Sequence, residues 1–508
     1  MSRAALFVVV SLSGASVLVL EILGTRILGP FYGVSLFLWS ALIGVTLAAL
    51  AAGYAVGGRW ASNAPSSGRL AAVLLAAGLW VLAIPWLRGP VVGAASGWEL
   101  RPAVLVSATL LFFPPLMLLG MVGPYAIRLA TRSVDEVGRV SGDLFAVSTL
   151  ASVAAAVATG FLLIPTLGVN RLLVAVALAL FAAGAIAHAA AGPSRRGVLL
   201  PAIGTLLAIV TGARGERLVP GVLAKLDSPY AELRVVESRG LRYLLIDGAP
   251  HTIVNAESGV PRQSYVYAAE IAADMSRDNG RLLLLGLGGG GTAEVFARRG
   301  WQVDAVEIDP AVPRLAVEFF RLKPFHARVI VAEGRQYLRR SRDSYDVVFF
   351  DVFGSASIPF HLVTREAFAE AKARLVPGGI LALNVETVGW DDPLAHALVA
   401  TLRSQFRNVF AMPTAEPQTK LGNVIVMASD RDLDVTDAQL GDPVTSVPDD
   451  DEHFRVVTRH HAWDNRYRPT RGRVLTDDWN PSDVRAEEIN LVARRFLRKL
   501  LPDSLTEG

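Results

Sequence analysis

Hydrophobic residues follow two different rhythms along this chain. Over the first 215 positions they gather into long runs broken only by short Gly, Pro and Arg punctuation. Crossing a bilayer takes about 20 mostly apolar helical residues. Seven runs approach that length, near Ala5–Leu23, Leu36–Val56, Leu70–Leu87, Ala103–Ile127, Leu144–Ile164, Leu172–Ala190 and Val198–Thr211, the last being short and interrupted by Pro201. Further runs follow the first, so Ala5–Leu23 reads as a retained helix rather than a cleaved leader. Small residues in Ala48–Gly53 and Ala151–Gly160 suit close packing of helices in lipid.

Beyond about Val222 the pattern shortens. Glu232–Glu237 and Leu241–Ile246, joined by Ser238–Gly240 and followed by Asp247–Gly248, predict a hairpin or small antiparallel sheet. Strand, turn and helix then alternate. Strands are expected at Leu282–Leu285, Val303–Ile308, Val329–Ala332, Val347–Asp351 and Ile380–Val385, and helices at Thr292–Arg299, Pro310–Arg321 and Arg365–Leu375. Such alternation predicts a parallel, doubly wound sheet with its site at the strands' C-terminal ends.

Composition supports a fusion of two kinds of chain. The 508 residues are 52% hydrophobic and 19% charged, and mean hydropathy is +0.41. That is too apolar for one soluble domain and too charged for a chain embedded throughout. Net charge is +3 and the pI near 9.2, yet basic residues neither cluster nor interleave with aromatics, which speaks against a nucleic-acid partner. The absence of cysteine removes disulfides, thiolate zinc sites and cysteine nucleophiles.

Candidate chemistry sits at the expected strand ends. In Gly286–Gly291 the missing side chains let backbone approach a ligand, with helix N–H groups aimed at it. Glu307 ends the next strand, where an acid accepts both hydroxyls of a ribose. Glu333 with Gly334 ends the third strand and Asp351 the fourth. One such acid is usually a cap or a solvated turn residue; three in register behind a glycine loop point to a nucleoside site.

The segment from about Asp227 to Met427 resembles the spermidine synthases, or polyamine aminopropyltransferases, which share the class I methyltransferase fold. The matching motifs are Ser228-Pro229-Tyr230, Leu245-Ile246-Asp247-Gly248, the glycine loop, Val306-Glu307-Ile308-Asp309 and Tyr345-Asp346-Val347-Val348. Thr476-Asp477-Asp478-Trp479-Asn480-Pro481 is similar to a segment of bacterial members fused to a membrane region. The resemblance implies a multi-pass α-helical membrane domain (1–215, about seven spans), then a linker, small antiparallel β region and lead-in helix (216–280). A nucleoside-binding class I methyltransferase-like α/β domain (281–430) and a C-terminal extension (431–508) with a final helix complete the chain.

It further implies that Gly286, Gly288, Gly290, Glu307, Ile308, Glu333 and Gly334 bind decarboxylated S-adenosylmethionine, or S-adenosylmethionine itself, with Glu333 meeting the adenine amine. Asp351 would orient and deprotonate an attacking amine, and no metal is required. Departures fall on both sides of the site and leave the nucleoside pocket better matched than the polyamine pocket. The family's second acid is Gly354, its loop acid is Gly289, its Gln after Ser-x-Tyr is Ala231, its Gln after Asp-Gly is replaced near His251, and its adenine-contact Asp is Glu333. Tyr230 and His251 are further substrate candidates. Tyr265 and Tyr267 with Glu270 either wall the amine site or form one face of an amphipathic helix. His361 either covers the site or is structural. Asp477 and Asp478 either supply the carboxylate that Gly354 lacks or cap the helix containing Val484–Leu497.

Three functions fit this pattern. The first is aminopropyl transfer to an amine. The second is S-adenosylmethionine-dependent methyl transfer at the membrane, and the third a non-catalytic sensor or carrier of nucleoside or polyamine. Expected partners are a small-molecule amine and the lipid bilayer of the cell (inner) membrane; a homo-oligomer is compatible with the pattern.

Orientation is contested within the sequence. Arg3, Arg59, Arg69, Arg128, Arg132, Arg139, Arg195 and Arg196 on one side outnumber Arg26, Arg88, Arg101, Arg171, Arg214 and Arg217 on the other, favouring a cytoplasmic N-terminus. Seven spans would then put the soluble half outside, whereas an adenosyl donor is supplied in the cytoplasm. Within the first span Glu21 is expected to pair with Arg26, and Pro114, Pro115 and Pro124 are expected to interrupt the fourth.

Overall fold

The N-terminal apolar runs fold as helices because a backbone in hydrocarbon must satisfy its own N–H and C=O groups. They are α1 (Arg3–Tyr32), α2 (Leu36–Asn63), α3 (Ser67–Ala95), α4 (Leu100–Ala130), α5 (Val137–Ala158), α6 (Ile164–Leu167), α7 (Val169–Ala189) and α8 (Arg195–Ala213). A π-turn, Thr159–Leu163, joins α5 to α6. The computed structural model describes residues 1–63, 65–95, 97–191, 195–213, 218–352, 358–414, 419–441, 451–482, 489, 492–497, 501–502 and 505. Gly354 and half of the helix expected over Val484–Leu497 lie outside them.

Among the described residues six helical stretches are long and apolar enough to cross a membrane, against the seven expected. They are α1 to α4, the joined stretch Val134–Leu167, and α7; in α8 the apolar portion is Pro201–Val210. α4 runs through Pro114, Pro115 and Pro124 unbroken, correcting the expected interruption. Small residues set the helix contacts. A Cβ on Gly53 would stand 2.2 Å from the Met117 carbonyl oxygen, and one on Gly57 2.6 Å from the Met121 Cα, so α2 and α4 touch backbone to backbone. Arg26 donates to the Pro229 carbonyl at 2.6 Å and forms no pair with Glu21, which corrects that expectation too.

The chain divides into two units, Met1–Leu218 with Leu226–Glu232, and Val219–Lys225 with Leu233–Thr506. The second opens with a four-stranded antiparallel sheet ordered β1 (Val222–Asp227), β2 (Glu232–Ser238), β3 (Leu241–Ile246), β4 (Ala249–Asn255). The expected hairpin is its centre. Val222, Val236, Tyr243 and Leu245 bury one face against Leu497, Leu501 and Leu505 of the C-terminal extension.

After α9 (Ser264–Asp274) comes the larger domain: β5 (Arg281–Leu285), α10 (Gly291–Arg298), β6 (Gln302–Glu307), α11 (Ala311–Phe319), β7 (Arg328–Val331), α12 (Gly334–Arg340), β8 (Tyr345–Phe350) and α13 (Arg365–Lys372). β9 (Leu375–Val388), α14 (Pro393–Arg403), β10 (Asn408–Pro413), β11 (Leu421–Ser429), α15 (Asp437–Leu440) and α16 (Asp451–Asp464) complete it. Seven strands form one sheet in the order β10-β11-β9-β8-β5-β6-β7. From β9 to β7 they are parallel, as expected, but β11 is antiparallel to both neighbours. The short return from β10 to β11 permits only an antiparallel pair. Strands such as β5, all leucine after Arg281, are apolar on both faces because helices cover both. The chain builds outward from β5 to β6 and β7, then returns to place β8 on the other side of β5. That reversal opens a crevice at the C-terminal ends of β5 and β8.

Candidate active site

The glycine loop between β5 and α10 forms one wall of the crevice. Gly286 has φ of +86° and passes the end of β8 so closely that a Cβ there would lie 2.2 Å from the Asp351 carbonyl oxygen. Gly290 at φ +83° caps the start of α10, a left-handed conformation that disfavours side chains. The Gly289 N–H donates to Thr252 Oγ1 of β4 at 2.7 Å, tying the loop to the small sheet. A Cβ at 289 would meet Thr252 Cγ2 at 2.6 Å and the Phe320 ring at 3.0 Å. The place where the family carries an acid is thus filled by two neighbours.

Glu307 ends β6 and faces this loop. Its carboxylate accepts the Leu287 N–H at 3.1 Å and the Asp309 N–H at 2.9 Å. Burial raises its pKa, opposed by those backbone donors. A carboxylate has about four acceptor positions, so two backbone bonds leave capacity for ribose hydroxyls. Ile308 beside it is an exposed apolar side chain at the strand end. Glu333 caps α12, accepting the Arg335 and Gln336 N–H groups at 2.9 and 2.7 Å, and meets His361 Nε2 at 3.0 Å. Burial alone would raise Glu333, but those three donors outweigh it and hold the acid below its usual range. His361 is therefore a partner of Glu333, with Gly334 following as the first residue of α12.

The other wall is made of side chains. Asp351 follows β8 and accepts the Tyr265 hydroxyl at 3.1 Å and Asn384 Nδ2 at 2.9 Å. Asn384 Oδ1 in turn accepts Asn423 Nδ2 at 2.9 Å, which fixes the amide's orientation. Burial pushes Asp351 up to about 6, against the pull of those two bonds. Burial and the adjacent carboxylate push the Tyr265 phenol far above its ordinary range, so it stays a donor. Two residues beyond Asn384 on β9, hence on the same face, Glu386 stands opposite Asn423 in the register. Burial pushes Glu386 up to about 7, opposed by the charge of Arg494. His251 on β4 is pushed down to about 4 by burial and by the same Arg494, so it is neutral at pH 7. Sequence reading missed Asn384 and Glu386; the available signal was polar residues inside the apolar strand that follows Gly379.

Other candidates lie elsewhere. Tyr265 faces Asp351, but Tyr267, on another face of α9, donates to the Pro261 carbonyl at 3.0 Å and packs edge-on against Phe454. Glu270 is buried among Arg455 at 2.6 Å, Arg299 at 3.1 Å and Arg459 at 3.8 Å. Burial would raise Glu270, but these arginines outweigh it and lower its pKa, so it belongs to a structural ion network and not to an amine-facing wall. Among the described residues Asp477 is engaged by Arg335 at 2.7 Å and the Thr364 hydroxyl at 2.7 Å, and the Arg335 bonds lower its pKa. Asp478 is exposed, and Tyr230, 51% exposed, sits in a turn closed by Ser228 Oγ within the other unit.

Comparison with known proteins follows the same division of the chain. No family model matches. The polyamine aminopropyltransferase of Vibrio vulnificus is 29% identical over 216 residues, covering 40% of this chain and 69% of the relative. Polyamine aminopropyltransferase 2 of Pseudomonas aeruginosa is 30% identical over 205 residues, covering 37% and 56%. The crystal structure of spermidine synthase from Thermotoga maritima aligns with 47% of this chain and 83% of its own, at 18% identity and a TM-score of 0.38. Homology to polyamine aminopropyltransferases thus extends over about two fifths of this chain and places it among the transferases.

Proposed function

We propose that this chain is a membrane-attached aminopropyltransferase that uses decarboxylated S-adenosylmethionine and an amine acceptor. The observation that carries the reading is Asp351, clamped by Tyr265 and Asn384 beside the glycine loop, with a second carboxylate, Glu386, on the same face. An amine is protonated at neutral pH and must be bound as a cation, then relieved of a proton as it attacks. In the proposed step Asp351 accepts that proton and the amine nitrogen bonds to the carbon next to the sulfonium. The carbon–sulfur bond breaks, and methylthioadenosine leaves with the electron pair. Sulfonium is a good leaving group, so positioning supplies much of the acceleration. Glu386 binds the charge at the acceptor's far end, Glu307 holds the ribose, and Glu333 with His361 lies beside the adenine.

Methyl transfer is the second reading, favoured by one observation. Thr252 and Phe320 occupy the space beside Gly289, so no acid there engages the amino end of the donor. The purified full chain, given each donor with a mixed amine pool, tests both. Methylthioadenosine with amine-dependent turnover supports aminopropyl transfer. S-adenosylhomocysteine alone moves the protein to methyl transfer, and no turnover with either donor leaves only a sensor or carrier.

The soluble unit is proposed to face the cytoplasm, where its donor is made. An even number of crossings returns the chain to the side of its N-terminus, which the arginine distribution also favours. Reporter fusions after Gly215 test this, and alkaline phosphatase activity without green fluorescence would reverse the assignment.

A further inference from the structure

Among the described residues, the acid inside the apolar run of α1, Glu21, has no hydrogen-bond or ion-pair partner. It is half-buried, and Arg26 turns to the Pro229 carbonyl instead. Its surroundings follow from helix packing. Gly14 of α1 closes on α5, where a Cβ would meet the Ser148 and Ser152 hydroxyls at 2.3 and 2.9 Å. As first and fifth of six alternating crossings, α1 and α5 run in the same direction. Seven residues make about two helical turns, so the contact stripe that starts at Gly14 reaches Glu21 as the one from Ser152 reaches Thr159.

By that register Thr159 is level with Glu21. It is 0% exposed, its Oγ1 has no hydrogen-bond partner, and it opens the π-turn Thr159–Leu163, against which α1 packs. Breaks of this kind in a helix often mark functional sites. An acid at membrane depth is costly unless something positive meets it, and among the described residues no basic side chain pairs with Glu21. We propose that Glu21 and Thr159 form an intramembrane site for a monovalent cation. One carboxylate balances one positive charge, and the Thr159 hydroxyl offers a spare oxygen lone pair. This chemistry suits a bare alkali cation or an organic ammonium equally.

A lipid-soluble carbodiimide, which couples to carboxyl groups within the bilayer, tests the site on the full chain in liposomes, with Glu21→Gln marking the labelled peptide. Sodium, potassium and methylammonium are compared as protectants. Protection of Glu21 by any of them is expected, and which one protects names the source of the charge. Thr159→Val, which keeps the side chain's shape, should weaken that protection about tenfold, the loss of one hydrogen-bonding oxygen beside a charge. The proposal is overturned if Glu21 resists the reagent, if no cation alters its labelling, or if Thr159→Val protects as well as the parent.

Discussion

The two walls of the candidate site are built by different means. The donor wall is mostly backbone, with glycines at positive φ, a helix start, and an acid that also holds the loop. The acceptor wall is side chain, drawn from α9, β8, β9 and β11 and linked as Tyr265, Asp351, Asn384 and Asn423. A backbone wall tolerates changes of substrate because it recognises what all donors share. A side-chain wall would, under the proposed function, commit the site to one acceptor chemistry.

The sharpest way to separate the walls is Asp351→Asn. Single-turnover rates should fall by roughly 10²–10⁴-fold, the range of a lost general base, with donor affinity nearly unchanged. Full activity would remove Asp351 from the chemistry. The parent's rate should also decline as pH falls through about 6, where the carboxylate takes up its proton. The sign for stability is opposite to that for rate. The folded pKa lies above an unfolded value of about 3.9, so ionised Asp351 opposes folding above about pH 6 and ceases to below about pH 4. Asp351→Asn should therefore melt higher than the parent at pH 8, and the gain should vanish towards pH 4.

Glu307→Ala probes the donor wall alone. Losing charged hydrogen bonds to two hydroxyls should weaken methylthioadenosine by roughly 100-fold in calorimetry, with the chain still folded. Unchanged affinity would make Glu307 only a brace for the loop. A smaller effect is expected from Glu386→Gln, about tenfold in the acceptor's KM with kcat little altered. In the parent that KM should drop as pH rises through about 7 while Glu386 ionises, and the slope should disappear in the variant. The smallest effect belongs to Asp477→Asn. Turnover should be unchanged and the melting temperature lower, because Arg335, its side chain 8% exposed, loses its ion pair with the 41%-exposed Asp477 while keeping Glu370. A loss of turnover would restore Asp477 to the site.

This contrast also explains what could be read without coordinates. Glycine spacing, strand-end acids and apolar runs are local, and β5 to β8 lie within a residue or two of their expected places, whereas β9 starts five residues before the expected Ile380. Asn384 was hidden because its meaning depends on Asp351, 33 residues earlier, meeting it across two parallel strands. Glu270 and Asp477 misled for the converse reason, since an acid's sequence position does not reveal which arginine will claim it. Arg455 reaches Glu270 from 185 residues away, and Arg335 reaches Asp477 from 142. The reversed direction of β11 was equally non-local, being set by the turn from β10 and not by the strand's own residues.

Thr252 and Gly289 constrain the history of this enzyme as well as its pocket. Thr252 Oγ1 takes the Gly289 N–H at 2.7 Å, and its methyl group would lie 2.6 Å from any Cβ at 289. An acid added first at 289 collides with Thr252, and shrinking residue 252 first strands an amide and leaves a void. Either single change passes through a worse protein before the pair can improve it. The two positions therefore act as a ratchet, and a chain with this pair is expected to gain an acid elsewhere around the loop sooner than at 289.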